Sequence, residues 1–90
     1  MGLDTVEILM KVEKRFGIAV PDQVASNCIT VADLQNVIVD LLVNQGRVRS
    51  RELEAEVYRD LVIIIVDQMG MHASDVRHDS RWIGDITDYG

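Results

Sequence analysis

Residues 3–22, LDTVEILMKVEKRFGIAVPD, decide how the rest of the chain is read. At about 100° per residue, Ile8, Leu9, Val12 and Phe16 fall on one face, which predicts an amphipathic helix over 3–16. Asp4, Glu7, Lys11, Lys14 and Arg15 fall opposite and form the expected solvated face. Gly17 follows the last apolar position, where a left-handed C-terminal residue is wanted, and Pro21 forbids early resumption of the helix. A single further turn of helix is expected over Asp22–Ser26.

Moving outward, the same period recurs twice. Thr30 is an N-cap for a second long helix, with Asp33 supporting its first turn and Val31, Leu34, Val37, Ile38, Leu41 and Leu42 as its apolar stripe. Asn44 to Ser50 breaks the pattern, and a glycine with Arg47, Arg49 and Arg51 reads as a linker. Ser50 caps a third helix, 51–69, that ends at Gly70. The run Leu61-Val-Ile-Ile-Ile-Val66 taken alone would fit a buried strand. The helix-forming residues before it, and the spacing of Leu61, Ile64, Ile65 and Met69, assign it to helix. Residues 71–90 carry no sustained period and read as a structured loop with short turns. The fold class expected is all-α, with helix 51–69 packed between helices 3–16 and 31–43.

Composition narrows the function. Ninety residues, 48% hydrophobic, make one small globular domain, 1–90. A net charge of −6 argues against nucleic acid, whose phosphates call for a basic face, and suits protein partners with basic surfaces. No apolar run approaches the ~20 residues of a membrane span, and no signal-peptide pattern appears, so no membrane association is expected. The one cysteine, Cys28, cannot form an internal disulfide; it fits a reducing compartment, and the expected location is the cytoplasm.

Residues 3–22 resemble the second helix and following loop of acyl carrier proteins. The family pattern is roughly Asp-Ser-Leu-Asp-x-Val-Glu, then an apolar helix, then Phe-Gly-Ile-x-Ile-Pro-Asp. Here it reads Gly2-Leu3-Asp4-Thr5-Val6-Glu7 and Phe16-Gly17-Ile18-Ala19-Val20-Pro21-Asp22. Ile29-Thr30-Val31-Ala32-Asp33-Leu34 continues as the family's last helix does, and Cys28 stands where a core isoleucine is usual, as a buried, inert thiol. The family's first helix is resembled by Leu61–Gly70. Its long loop is resembled by Ser74-Asp75-Val76 and by Asp79-Ser80-Arg81-Trp82-Ile83-Gly84-Asp85-Ile86. The resemblance thus implies an acyl-carrier-like bundle, three long helices and a short one, in circularly permuted order. Residues 1–44 stand for helices II–IV, 45–51 for a linker, and 52–90 for helix I and loop I. The linker bridges a short gap at little entropic cost, and Gly90 and Met1 are expected to be neighbours.

Acyl carriers hold 4′-phosphopantetheine on a serine hydroxyl at the start of helix II. The position matching that serine here is Gly2, and Tyr89-Gly90 if the ends were rejoined. Glycine offers no oxygen, so no cofactor is expected on this chain; Thr5 and Ser80 are not substitutes. Two origins stay open: a hydroxyl lost where the order was cut, or a carrier-like domain that never carries. The resemblance implies a role in fatty-acid or polyketide-type metabolism, and no enzymatic activity. The alternative is a non-carrying interaction module that keeps the carrier fold.

Leu3, Val6 and Met10 form a second apolar stripe, about 140° from the core stripe. It reads either as core filling beneath the loop or, with Asp4 and Glu7, as the partner-binding strip the resemblance implies. The family's acidic run later in that helix is diluted here to Lys11-Val12-Glu13-Lys14-Arg15. No metal-ligand or catalytic spacing appears; His72 and His78 read as solvated loop residues, and Trp82 as a core plug. Ile63 projects opposite the core stripe of its helix beside Glu56, Arg59 and Asp67, with Val62 and Val66 flanking, which predicts a homodimer unless the linker covers it.

Overall fold

The computed structural model describes residues 3–80, and within them every periodic stretch is helical. The order is α1 (Leu3–Phe16), α2 (Asp22–Ser26), α3 (Val31–Asn44), α4 (Arg51–Met69) and a 3-10 turn, Ala73–Asp75. No strand lies among the described residues, and Leu61–Val66 is helix. Arg51, counted with the linker from its charge, is the first residue of α4, and α3 runs one residue past the expected end. Trp82 and the remainder of the loop, like Gly2, lie outside the described residues.

The helix ends follow from local chemistry. Gly17 has φ +66°, and the Ile18 amide donates back to the Glu13 carbonyl at 3.1 Å, closing α1 in a left-handed turn that glycine adopts without strain. The Glu13 carboxylate then accepts from the Val20 amide at 2.8 Å, fixing the chain's exit. α3 opens on a full capping box. The Thr30 hydroxyl accepts from the Asp33 amide, and the Asp33 carboxylate accepts from the Thr30 and Ile29 amides. At the other end of α3 the Gly46 amide reaches the Val43 carbonyl and the Arg47 amide the Leu42 carbonyl, both at 3.0 Å. Ser50 caps α4 through the Leu53 amide at 3.1 Å.

α4 is the central helix and packs on both α1 and α3, as the apolar stripes predict. Its Leu53, Val57, Leu61, Ile64 and Ile65 are buried against Ile8, Leu9 and Val12 of α1 and Val31, Leu34, Ile38, Val39 and Leu42 of α3. Phe16, Val37, Leu41 and Met69 are only partly buried and pack at the rim. Val39, which the stripe of α3 omitted, is fully buried. Among the described residues no helix is long and apolar enough to cross a membrane.

One face differs from expectation. Glu7, Lys11 and Arg15 of α1 are exposed, yet they are not merely solvated. Gln68 donates to the Glu7 carboxylate, Lys11 pairs with Asp67 at 3.6 Å, and Arg15 pairs with Asp60 at 3.3 Å. Positions rising along α1 meet positions falling along α4, so the two helices run antiparallel.

Candidate functional site

The candidate site is the first half of α1. Leu3 and Asp4 occupy its first turn, and Gly2 precedes it outside the described residues. Val6 is 40% exposed and Met10 61%, one helical turn apart. The loop residues 81–90 that the core-filling reading would set over this stripe lie outside the described residues. Val6 and Met10 stand on the side of α1 that carries neither the core residues nor the ladder to α4. Glu7 is exposed and shares its carboxylate with Gln68, so it is oriented along the helix pair and is not free to sweep solvent.

Among the described residues, the two hydroxyls closest to the attachment position by sequence or by resemblance are Thr5 and Ser80. Thr5 is 1% exposed, buried with Ile8 on the inner side of α1. Ser80 is half-buried and committed to structure: its Oγ accepts from the Arg77 amide at 3.0 Å, and its carbonyl accepts from the Val31 amide at 2.8 Å.

The loop after α4 is clasped to the N-terminus of α3, an arrangement that periodicity does not reveal. The first amides of a helix lack intrahelical acceptors. Here Val31 donates to Ser80 and Ala32 to the His78 carbonyl, both at 2.8 Å, while Asp33 and Leu34 donate to the Thr30 side chain and carbonyl. Tyr58 of α4 donates to the Val76 carbonyl at 3.2 Å, and its ring stacks on His78 with centroids 3.8 Å apart. His78 is thus exposed but engaged, more than a solvated loop residue. Burial, reinforced by Asp79, raises the Tyr58 phenol above its ordinary range and keeps it a donor.

Cys28 is buried and its thiol donates to the Val24 carbonyl at 3.4 Å. Burial first, and Asp33 second, push the thiol pKa up, which keeps it protonated and unreactive as expected. It lies under a shallow open groove between α2 and α3, lined also by Val24, Asn27, Asp33 and Val37. Among the described residues no group of acidic, histidine or cysteine side chains is arranged to hold a metal.

Comparison with known proteins adds the family signal. Over 37 residues the chain is 53% identical to the acyl carrier protein of Rickettsia bellii, covering 41% of this chain and 46% of that one. Over 39 residues it is 47% identical to the acyl carrier protein of Chloroherpeton thalassium, covering 43% and 49%. Over 39 residues it is 42% identical to that of Helicobacter pylori, covering 43% and 50%. Part of this chain is similar to acyl carrier proteins. The chain spans about half the length of the curated relatives it matches, and those partial matches support the acyl carrier family. No family model matches the chain, and no solved structure matches it. The mostly helical architecture agrees with an acyl-carrier-like bundle.

Proposed function

We propose that this chain is a carrier-type domain of fatty-acid or polyketide-like metabolism, in permuted order, that works through protein contacts and does not itself hold phosphopantetheine. The observation that carries this reading is the partial match. An alignment that preserves order captures only one of two segments when their order is exchanged, and the identity of 42–53% spans less than half of this chain. The packing supports it as well: α4, which would supply the family's first helix, sits between α1 and α3 and tethers the following loop to α3. In this reading Gly2 holds the position of the attachment serine, and its lack of a hydroxyl removes the nucleophile. The domain is not an enzyme. Leu3, Asp4, Val6, Glu7 and Met10 form the strip that meets a protein partner, such as a carrier-family enzyme.

The second reading is an interaction module that has kept the fold and left carriage behind. The ladder of Lys11 and Arg15 to α4 favours it, because these cations stand where a carrier's partner-facing helix would be acidic. One experiment separates the two. Residues 45–90 are placed ahead of residues 3–44 in one chain, with either glycine or serine at the junction, and incubated with coenzyme A and a phosphopantetheinyl transferase. The carrier reading expects both chains to fold and the serine version alone to gain the prosthetic group. Failure of the reordered chain to fold would defeat the permutation. Folding without labelling of the serine version would favour the interaction module.

A further inference from the structure

We propose that α4 pairs, antiparallel and about a two-fold axis, with the α4 of a second copy of this chain, through Arg59, Ile63 and Asp67. Ile63 is 52% exposed, whereas Leu61, Ile64 and Ile65 around it are buried. Val62 and Val66 beside it are only partly buried, which widens the apolar strip. The linker does not cover it. Arg47 is held by Glu56 at 3.4 Å, and Arg49 is held by Asp40 of α3 and by Glu54, in the first turns of α4, away from Ile63.

The charges on either side of Ile63 select the occupant. Arg59 stands one turn before it, exposed, with no hydrogen bond or ion pair to any described residue. Asp67 stands one turn after it, with its side chain 78% exposed and, among the described residues, a single ion pair, to Lys11. Read along the helix, the row is cation, apolar, anion; read backwards, it is anion, apolar, cation. A two-fold interface requires that if one residue meets another across the axis, the reverse contact also forms. Antiparallel helices meet that requirement: with Ile63 against Ile63 at the axis, each Arg59 faces the other copy's Asp67. Parallel helices would set like charges together. The three residues also form a single i, i+4 row, the row that interdigitates in the commonest class of helix packing.

A chain of net charge −6 repels its copy, so local opposite charges are what an apolar strip of this size needs. The strip is small, and the dimer it supports is a weak, reversible one. The pairing does not depend on the carrier reading, because neither Gly2 nor the loop takes part.

Sedimentation equilibrium on the whole chain, over a concentration series reaching about 1 mM, tests it. The weight-average mass should rise from 10.1 kDa toward twice that value. Ile63→Lys and Arg59→Asp should each weaken association at least about tenfold. Asp67→Arg alone should do the same, and an equimolar mixture of Arg59→Asp with Asp67→Arg should regain it, because each variant then presents the complement of the other. The mixture contains the same folded chains as the single samples, so its recovery cannot come from altered folding. A mass of 10.1 kDa throughout would overturn the proposal. So would association indifferent to Ile63→Lys, or a mixture no more associated than its components.

Discussion

At the residue scale, two titratable groups make the account testable. The Asp33 carboxylate accepts from the Thr30 and Ile29 amides, and these bonds, Thr30's first, hold its pKa below the ordinary carboxylate value. A carboxylate depressed in the folded state stabilises fully above its unfolded pKa, about 3.9, and that contribution is lost as pH falls through the folded value. Chemical denaturation between pH 6 and strongly acid conditions should therefore show a falling acid limb that Asp33→Asn makes shallower. Thr30→Ala, which removes the reciprocal half of the box, should cost about 1 kcal/mol at neutral pH. Cys28 supplies a second check. Its burial and raised pKa predict alkylation by iodoacetamide at least about tenfold slower in the native chain than in denaturant. Rapid modification under native conditions would show that the α2–α3 groove opens. Thr30, Asp33 and Cys28 were all legible in the sequence, because caps and small buried thiols are decided by neighbours a few positions away.

At the scale of elements, α4 carries the most weight, and Ile63 and Ile64 divide its two faces. Ile64 is 8% exposed between α1 and α3, so Ile64→Ala should cost about 2–5 kcal/mol of unfolding free energy. Ile63→Ala should stay within about 0.5 kcal/mol when measured on dilute monomer. Comparable losses from both would contradict the packing. The three long helices, their caps and the core stripes could be read from period and punctuation, since both depend on residues close along the chain. The α1–α4 ladder could not. Nothing in the spacing of Glu7, Lys11 and Arg15 says that Gln68, Asp67 and Asp60 will stand opposite them; that depends on helix azimuth after packing. The clasp of residues 76–80 onto α3 escaped for the same reason. It consists of carbonyls of Ser80 and His78 meeting amides of Val31 and Ala32, and backbone groups carry no sequence signature. Of the candidate partner strip, the apolar character of Val6 and Met10 was legible. Their exposure was not, because a stripe 140° from the core is read equally well as a second buried contact.

At the scale of the whole molecule, the pieces of the account are an all-α bundle, a partial likeness to acyl carrier proteins, and the proposal that Gly2 holds the place of the attachment serine. The hydroxyls nearest the site by sequence or by resemblance, Thr5 and Ser80, are buried or bonded into the frame. The central claim is that this is a carrier-type domain that does not carry, and intact-mass spectrometry tests it most directly. The unaltered chain is incubated with coenzyme A and a broad-specificity phosphopantetheinyl transferase, beside an ordinary acyl carrier protein as the positive control. The account predicts an unchanged mass of 10.1 kDa while the control is fully converted. A mass gain equal to one phosphopantetheine on the unaltered chain would contradict it.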